Sequence, residues 1–194
     1  MVAASDRRRT AIHSWGKGMS IEIDVVNGDA GWTAAVALFD AVWPLHVLEK
    51  LPWGNVVFAE ADLRVLLRTE SSDLACHVGI FRRTVTWNGR TMNAGGIGGV
   101  ATRDEYRSRG YASMALQAAL RTMQDEGSID FAMLFCEPRL APFYRERGWK
   151  GFDGEIYAEQ AEGRTLFTAI GPYVHDVRWR APSNGVIDLN GLPW

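Results

Sequence analysis

The stretch VATRDEYRSRGYASMAL, Val100 to Leu116, constrains the fold of this chain more than any other. A strand-like run ends in it, and two arginines and a glycine crowd the turn that follows. An amphipathic helix then begins at about Gly110. Ala112, Ala115, Leu116, Ala119, Leu120 and Met123 recur at i, i+3, i+4 spacing, and Gly127 is placed to stop the helix. A strand that turns directly into a helix bunches the helix's first N–H groups. Those groups lack intrahelical partners and sit at the positive end of the macrodipole, so the turn suits an anion, phosphate foremost. Arg107 and Arg109 add charge matched to paired phosphate oxygens, while Gly110 and Ala112 keep the approach narrow. The strand before the turn reads AGGIGGV, four glycines in seven residues, which costs β-propensity. Glycine inside a strand marks a bulge or a ligand lying against the backbone. An elongated ligand running along this strand, with its phosphates at the helix mouth, accounts for both features.

The rest of the chain supplies a sheet for that turn to sit on. SIEIDVV (20–26) alternates as a strand, and Asp29 is placed to cap a helix over 32–43 that Pro44 ends. The segment 45–54 is irregular. LRVLLR (63–68) reads as a strand, and two longer strands meet at Trp87-Asn88-Gly89-Arg90, where Asn-Gly favours a tight hairpin turn. IDFAMLF (129–135) is apolar throughout, as a strand buried on both faces would be. A short helix over 140–147 and β-like pieces at 154–158, 164–170 and 186–189 complete the chain. This order predicts an α+β domain of three layers, with one mixed central β-sheet and helices on its faces. Residues 1–18 read as a disordered extension with Met19 as a plausible start, 19–194 as a single domain, and about 171–194 as a tail on its acceptor side.

Composition excludes several functions. The chain of 194 residues has a net charge of −2, unlike the strongly basic domains that bind nucleic acid. No apolar run reaches the roughly 20 residues that cross a bilayer. Two cysteines, Cys76 and Cys136, make no disulfide framework and suggest a reducing, cytoplasmic setting. The four histidines, His13, His46, His77 and His175, show no paired ligand spacing, so no metal site is expected.

The pattern R-x-x-G-x-A formed by Arg107, Gly110 and Ala112 resembles the pyrophosphate-binding signature of the Gcn5-related N-acetyltransferases. Its context is similar to the family's too: a strand before it, an amphipathic helix after it, then an apolar strand and RLAPFYRERGW (139–149), with a tyrosine four residues before Gly-aromatic. The resemblance covers about 63–170. It implies a mixed sheet with a splayed strand pair that takes acetyl-coenzyme A as co-substrate. Gly99, Val100, Ala101 and Thr102 would lie along the cofactor's arm. Arg107, Ser108, Arg109 and Gly110 would hold its phosphates, together with Tyr111, Ala112 and Ser113 at the helix start. Within the family the chain looks nearest to aminoglycoside 2′-N-acetyltransferases and, more distantly, nodulation N-acyltransferases. It shares with the former a terminal tryptophan close to the acceptor site. Those enzymes carry a glutamate on the fourth strand where this chain has Gly98.

The resemblance implies direct attack of a neutral amine on the thioester. The Val100 N–H would stabilise the oxyanion and Tyr144 would protonate the leaving thiolate, or else pack as a core aromatic. The base is open among Glu137, Asp188, the α-carboxylate of Trp194, His46 and His77; Glu137 also reads as a helix cap, and the histidines also read as structural. Trp53, Arg83, Asp188 and Trp194 are candidates for the acceptor site. The acceptor reads as a small-molecule amine, an amino sugar or aminoglycoside among the options. A protein or peptide amine, and a catalytically silent CoA sensor, are the alternatives. A homodimer is compatible with the sequence.

Overall fold

A computed structural model of the chain describes residues 8–14, 20–70 and 73–194. Its order is β1 (Arg8–Ser14), β2 (Ser20–Asn27), α1 (Gly28–Val42), α2 (Leu45–Leu48), β3 (Leu63–Arg68), β4 (Leu74–Trp87) and β5 (Arg90–Thr102). Then come α3 (Tyr111–Glu126), β6 (Phe131–Cys136), α4 (Ala141–Arg145), β7 (Lys150–Gly151), β8 (Asp153–Gln160), β9 (Gly163–Leu166), β10 (Gly171–Asp176) and β11 (Asn184–Asp188). The expected mixed sheet is present, in the order β1-β2-β3-β4-β5-β6-β10-β7, with β11 joining β4 to β8 and β9 beyond. All its central pairs are antiparallel except β5–β6.

Strand alternation assigns the two faces. Val65, Leu67, Cys76, Val78 and Ile80 point to one face, where α3 covers them with Ala115, Leu116, Ala119 and Met123. On the other face Leu66 and Ala101 meet α1 through Leu38. Farther along that same face, Phe81, Val85, Phe131 and Met133 are covered instead by Ile156 of β8, Ile187 of β11 and Trp194. This second face therefore has two different covers, and a gap lies between them.

Several elements depart from the sequence reading. Residues 8–14 pair antiparallel with β2, where a disordered extension over 1–18 was expected; the rest of that extension lies outside the described residues. The cap of α1 is Asn27, whose side chain accepts from the Asp29 N–H at 3.0 Å, so the helix starts earlier than an Asp29 cap would place it. The 140–147 helix is a 3₁₀ turn, Pro138–Leu140, followed by α4. Residues 171–176 are not a tail but β10, paired with β6 along its whole length. The hairpin turn stands as expected, with Asn88 and Gly89 both at positive φ.

Candidate active site

The parallel pairing of β5 with β6 runs from Ala94–Phe131 to Ile97–Leu134 and stops. Beyond it both strands continue, β5 to Thr102 and β6 to Cys136, without pairing to each other. The splay begins at the glycine-rich stretch. There Gly99 takes φ +55°, and the β4–β5 register shifts between His77 and Gly79, as a bulge requires. Past the splay, Gly110 at φ +80° starts α3, and Ser108 is left-handed as well. No side chain caps α3, so its first-turn N–H groups face outward unengaged by a capping group. A Cβ on Gly110 would meet nothing within 4 Å, so the glycine is there for its backbone conformation.

A cleft of about 540 Å³ fills the gap in the second face and reaches the splay. The expected residues Gly99, Val100, Glu137, Tyr144, Trp53 and Trp194 all line it. Tyr144 is 5% exposed, and burial, its largest perturbation, holds its phenol well above the usual tyrosine range. Glu137 lies at the mouth in a two-pronged pair with Arg139, at 3.0 and 3.1 Å, and that pair holds its carboxyl below the usual range. Glu137 also stands at the N-cap of the Pro138–Leu140 turn, where its carbonyl accepts from the Leu140 N–H at 2.9 Å while its side chain makes no capping hydrogen bond. Cys136 also lines the cleft, and burial pushes its thiol up to about 11.

Two of the acceptor-site candidates lie outside the cleft lining. Arg83 is absent from the cleft lining; it stacks 5.9 Å over the Trp194 ring and donates to the Leu189 carbonyl at 3.4 Å, so it clamps the segment that carries Trp194. Asp188 pairs with Arg164 and accepts from the Asn190 N–H at 2.9 Å, at the β4–β11 seam away from the cleft. Ala101 and Thr102 also turn away from the opening, Ala101 into the α1 core and Thr102 onto the Cys76 sulfur at 3.3 Å. Arg107 bonds Asp104 at 2.8 Å and Arg109 lies 5.5 Å over Tyr106, both beside the α3 start. Ser113 accepts from Arg147 at 2.8 Å; Arg147 also donates to the Phe143 carbonyl, tying α4 and its tyrosine to the first turn of α3.

The centre of the cleft is a histidine that the sequence offered only as a minor base candidate. His77, 1% exposed, places Nδ1 2.7 Å from the Gly99 carbonyl. Its Nε2 lies 3.2 Å from Arg64 Nη1, which can only donate, so Nε2 is the bare nitrogen and Nδ1 carries the proton. Burial, aided by the nearby Arg64 and opposed by the hydrogen bond to the Gly99 carbonyl, lowers the His77 pKa to about 4. Arg64 is itself anchored by donating to the Gly28 carbonyl at 2.8 Å. One signal was available: Arg64 stands among the apolar residues Leu63, Val65, Leu66 and Leu67 of its strand, and a charge there needs a buried partner.

The family follows from the sequence once this geometry is in view. A family model described as "Acetyltransferase (GNAT) domain" matches residues 27–152. The chain belongs to the GNAT acetyltransferase family. Its fold is similar to that of YhbS, a GNAT family N-acetyltransferase from Escherichia coli solved in complex with CoA, at 15% identity over 91% of this chain and 93% of that one, TM-score 0.59. It is also similar to Escherichia coli ElaA (16% identity, 80% and 99% covered, TM-score 0.57). A putative N-acetyltransferase from Lactobacillus plantarum is a further match (18% identity, 81% and 98% covered, TM-score 0.54). The sequence matches no curated protein significantly. At these identities the structural likeness speaks for the GNAT fold. The splayed β5–β6 pair, the uncapped α3 and the Cβ-free Gly98 and Gly99 fit an acyl-CoA arm and its phosphates.

Proposed function

We propose that this GNAT protein transfers the acetyl group of acetyl-CoA to the primary amine of a small molecule, with residues 19–194 acting as one catalytic unit. The observation that carries the reading is that a single cleft joins the β5–β6 splay to Tyr144. The thioester would lie along Gly99 and Val100, with the diphosphate on the α3 amides flanked by Arg107 and Arg109. In a trans peptide the C=O and N–H point opposite ways. His77 holds the Gly99 carbonyl, so the Val100 N–H of the same peptide is fixed in direction and can receive the developing oxyanion.

The amine nitrogen forms a bond to the thioester carbon, the C–S bond breaks, and Tyr144 gives its proton to the leaving sulfur. The phenol is protonated at neutral pH and so has the proton to give; its upward shift makes it a weaker acid than a free tyrosine. Cys136 supports direct transfer: with its pKa near 11 it remains a thiol and is a poor acyl acceptor. Glu137, held ionised by Arg139, is a weak proton acceptor; its charge draws the ammonium in, and water carries the proton away. Amino sugars and aminoglycosides are the acceptors that the sequence resemblance suggests, and the tryptophan faces of the cleft can carry a sugar ring. Cys76 and Cys136, both free and buried, support a cytoplasmic setting. Thiol release from acetyl-CoA against a panel of amines tests the reading. Amine-dependent release is expected, whereas CoA binding by calorimetry with no release for any amine would leave a sensor instead.

A further inference from the structure

Among the described residues, Arg64 of β3 is the one buried side chain that carries a full charge. Burial works against that charge more than the nearby Glu60 and Asp29 favour it. A well-packed apolar side chain of similar volume would avoid the cost, so stability alone does not account for an arginine here. The first turn of α1 is shaped around it. Arg64 Nε donates to the carbonyl of Gly28, the first residue of α1, at 2.8 Å. The Gly28 N–H in turn donates to the Asp62 carbonyl at 2.9 Å, and a Cβ at Gly28 would overlap the Ala61 carbonyl oxygen. A Cβ at Gly31 would lie 3.0 Å from Arg64 Cδ. Two glycines in one turn weaken a helix, but here they let α1 close down on the stem of Arg64 and on the start of β3. Trp32 of the same helix lies over the guanidinium, its ring centroid 4.9 Å away.

The far end of the guanidinium reaches the cofactor strand. Nη1 lies 3.2 Å from His77 Nε2, and His77 Nδ1 lies 2.7 Å from the Gly99 carbonyl, whose peptide also holds the Val100 N–H. The opposite tautomer would set a proton on Nε2 against the guanidinium and a lone pair on Nδ1 against the carbonyl oxygen, two repulsions at once. Phe39 of α1 stands edge-on to the His77 ring at 4.9 Å, so α1 bears on the histidine directly as well as through Arg64.

We propose that Arg64 is a positioning residue for acetyl transfer. It holds His77 in the tautomer that grips the Gly99 carbonyl, and by its seat on Gly28 it ties the aim of the Val100 N–H to the position of α1. The proposal rests on the acetyl-transfer reading above and adds the residue that orients the oxyanion donor. Residues Trp32, Phe39 and Asp40 of α1 line the cleft, so the helix beside the acceptor and the peptide beside the thioester are held by one chain of hydrogen bonds. A shift of α1 off its seat would loosen His77 and the oxyanion donor together.

Two measurements test this. Arg64→Met keeps most of the stem and removes the donors. Its kcat for amine-dependent thiol release is expected to fall about tenfold, less than the loss of a whole oxyanion donor, with the KM for acetyl-CoA held within about twofold. In a His77→Phe background the same change should lower kcat by less than about twofold, because the link it works through is already cut. Equal fold losses in the two backgrounds, or a loss confined to KM, would overturn the proposal. Nitrogen NMR of histidine-labelled protein at neutral pH reads the link without turnover, with His77→Asn identifying the His77 signals among those of the four histidines. With Arg64 in place, Nδ1 is expected to be protonated and Nε2 bare. In Arg64→Met the Nε2 signal should move toward that of an unbonded imidazole nitrogen. A proton on Nε2 while Arg64 is present refutes the role, and so does an Nε2 signal that Arg64→Met leaves in place. A protein that releases no thiol with any amine, yet shows the bonded Nε2, would count against the acetyl-transfer reading and leave the link from α1 to Gly99 standing.

Discussion

At the residue scale, Tyr144 and His77 do different work in the same cleft. Tyr144 makes aromatic contacts with Phe143 and Trp149, and phenylalanine preserves them. Tyr144→Phe is therefore expected to keep the melting temperature and lose about 10²-fold in kcat, the usual worth of a positioned acid. Full turnover at every pH would leave Tyr144 as a packing residue. His77 acts through the Gly99 carbonyl. His77→Phe keeps the ring against Phe39 but loses the donor, so kcat should fall with the acetyl-CoA KM unchanged; His77→Asn, which restores an N–H near Nδ1, should recover most of it. The same histidine shapes stability. Its folded pKa of about 4 lies below the unfolded 6.5, so between these values the unfolded chain binds the extra proton and stability falls as the pH drops. The shift corresponds to about 3 kcal/mol, fully present above pH 6.5 and gone below pH 4. Denaturant melts of His77→Asn should stay flat across that window where the parent declines. The depressed carboxylates, Asp176 among them, act only at lower pH.

At the scale of elements, the strand–turn–helix from β5 to α3 was legible because each part carries a local signal. The glycines mark the bulge, the arginines and Gly110 mark the turn, and the i, i+3, i+4 pattern with Gly127 marks the helix. What stayed hidden was non-local. β10 opens with Gly-Pro and contains His and Asp, so no propensity names it a strand; β6, its neighbour, makes it one. Arg83 and Asp188 looked free to bind an acceptor because a sequence does not show that the Leu189–Trp194 segment comes back onto Arg83 or that Arg164 of β9 pairs with Asp188. The α3 start yields its own prediction. With open space at its Cβ and φ +80°, Gly110→Ala meets only backbone strain, about 1 kcal/mol. If the turn's shape holds the diphosphate, the acetyl-CoA KM should rise several-fold while kcat is kept, and steady-state kinetics beside a thermal melt would separate the two effects.

At the scale of the whole molecule, the cleft exists because the second sheet face is covered from two directions and the covers meet at glycine. The Trp194 indole donates to the Met133 carbonyl at 3.1 Å and lies flat on β5, where a Cβ at Gly96 would come within 2.4 Å of the ring. All three atoms nearest that position belong to Trp194, so one distant residue sets the tightest constraint on this glycine. Gly98 is pressed in the same way by the Trp194 main chain, at 2.8 Å. The run of glycines that marked the cofactor strand thus serves a second purpose, admitting the segment that walls the acceptor slot. This gives a coupling that can be measured. Trp194→Ala should cost about 3–5 kcal/mol, as for other buried tryptophans. Gly96→Ala should cost a comparable amount, by evicting the ring. In the Trp194→Ala background the obstacle is gone, so Gly96→Ala should add less than about 1 kcal/mol, and a cycle of urea melts should show a coupling of at least about 2 kcal/mol. Strict additivity would mean that the tryptophan does not rest on the strand, and the acceptor slot would lose the wall that Trp194 and Phe81 provide.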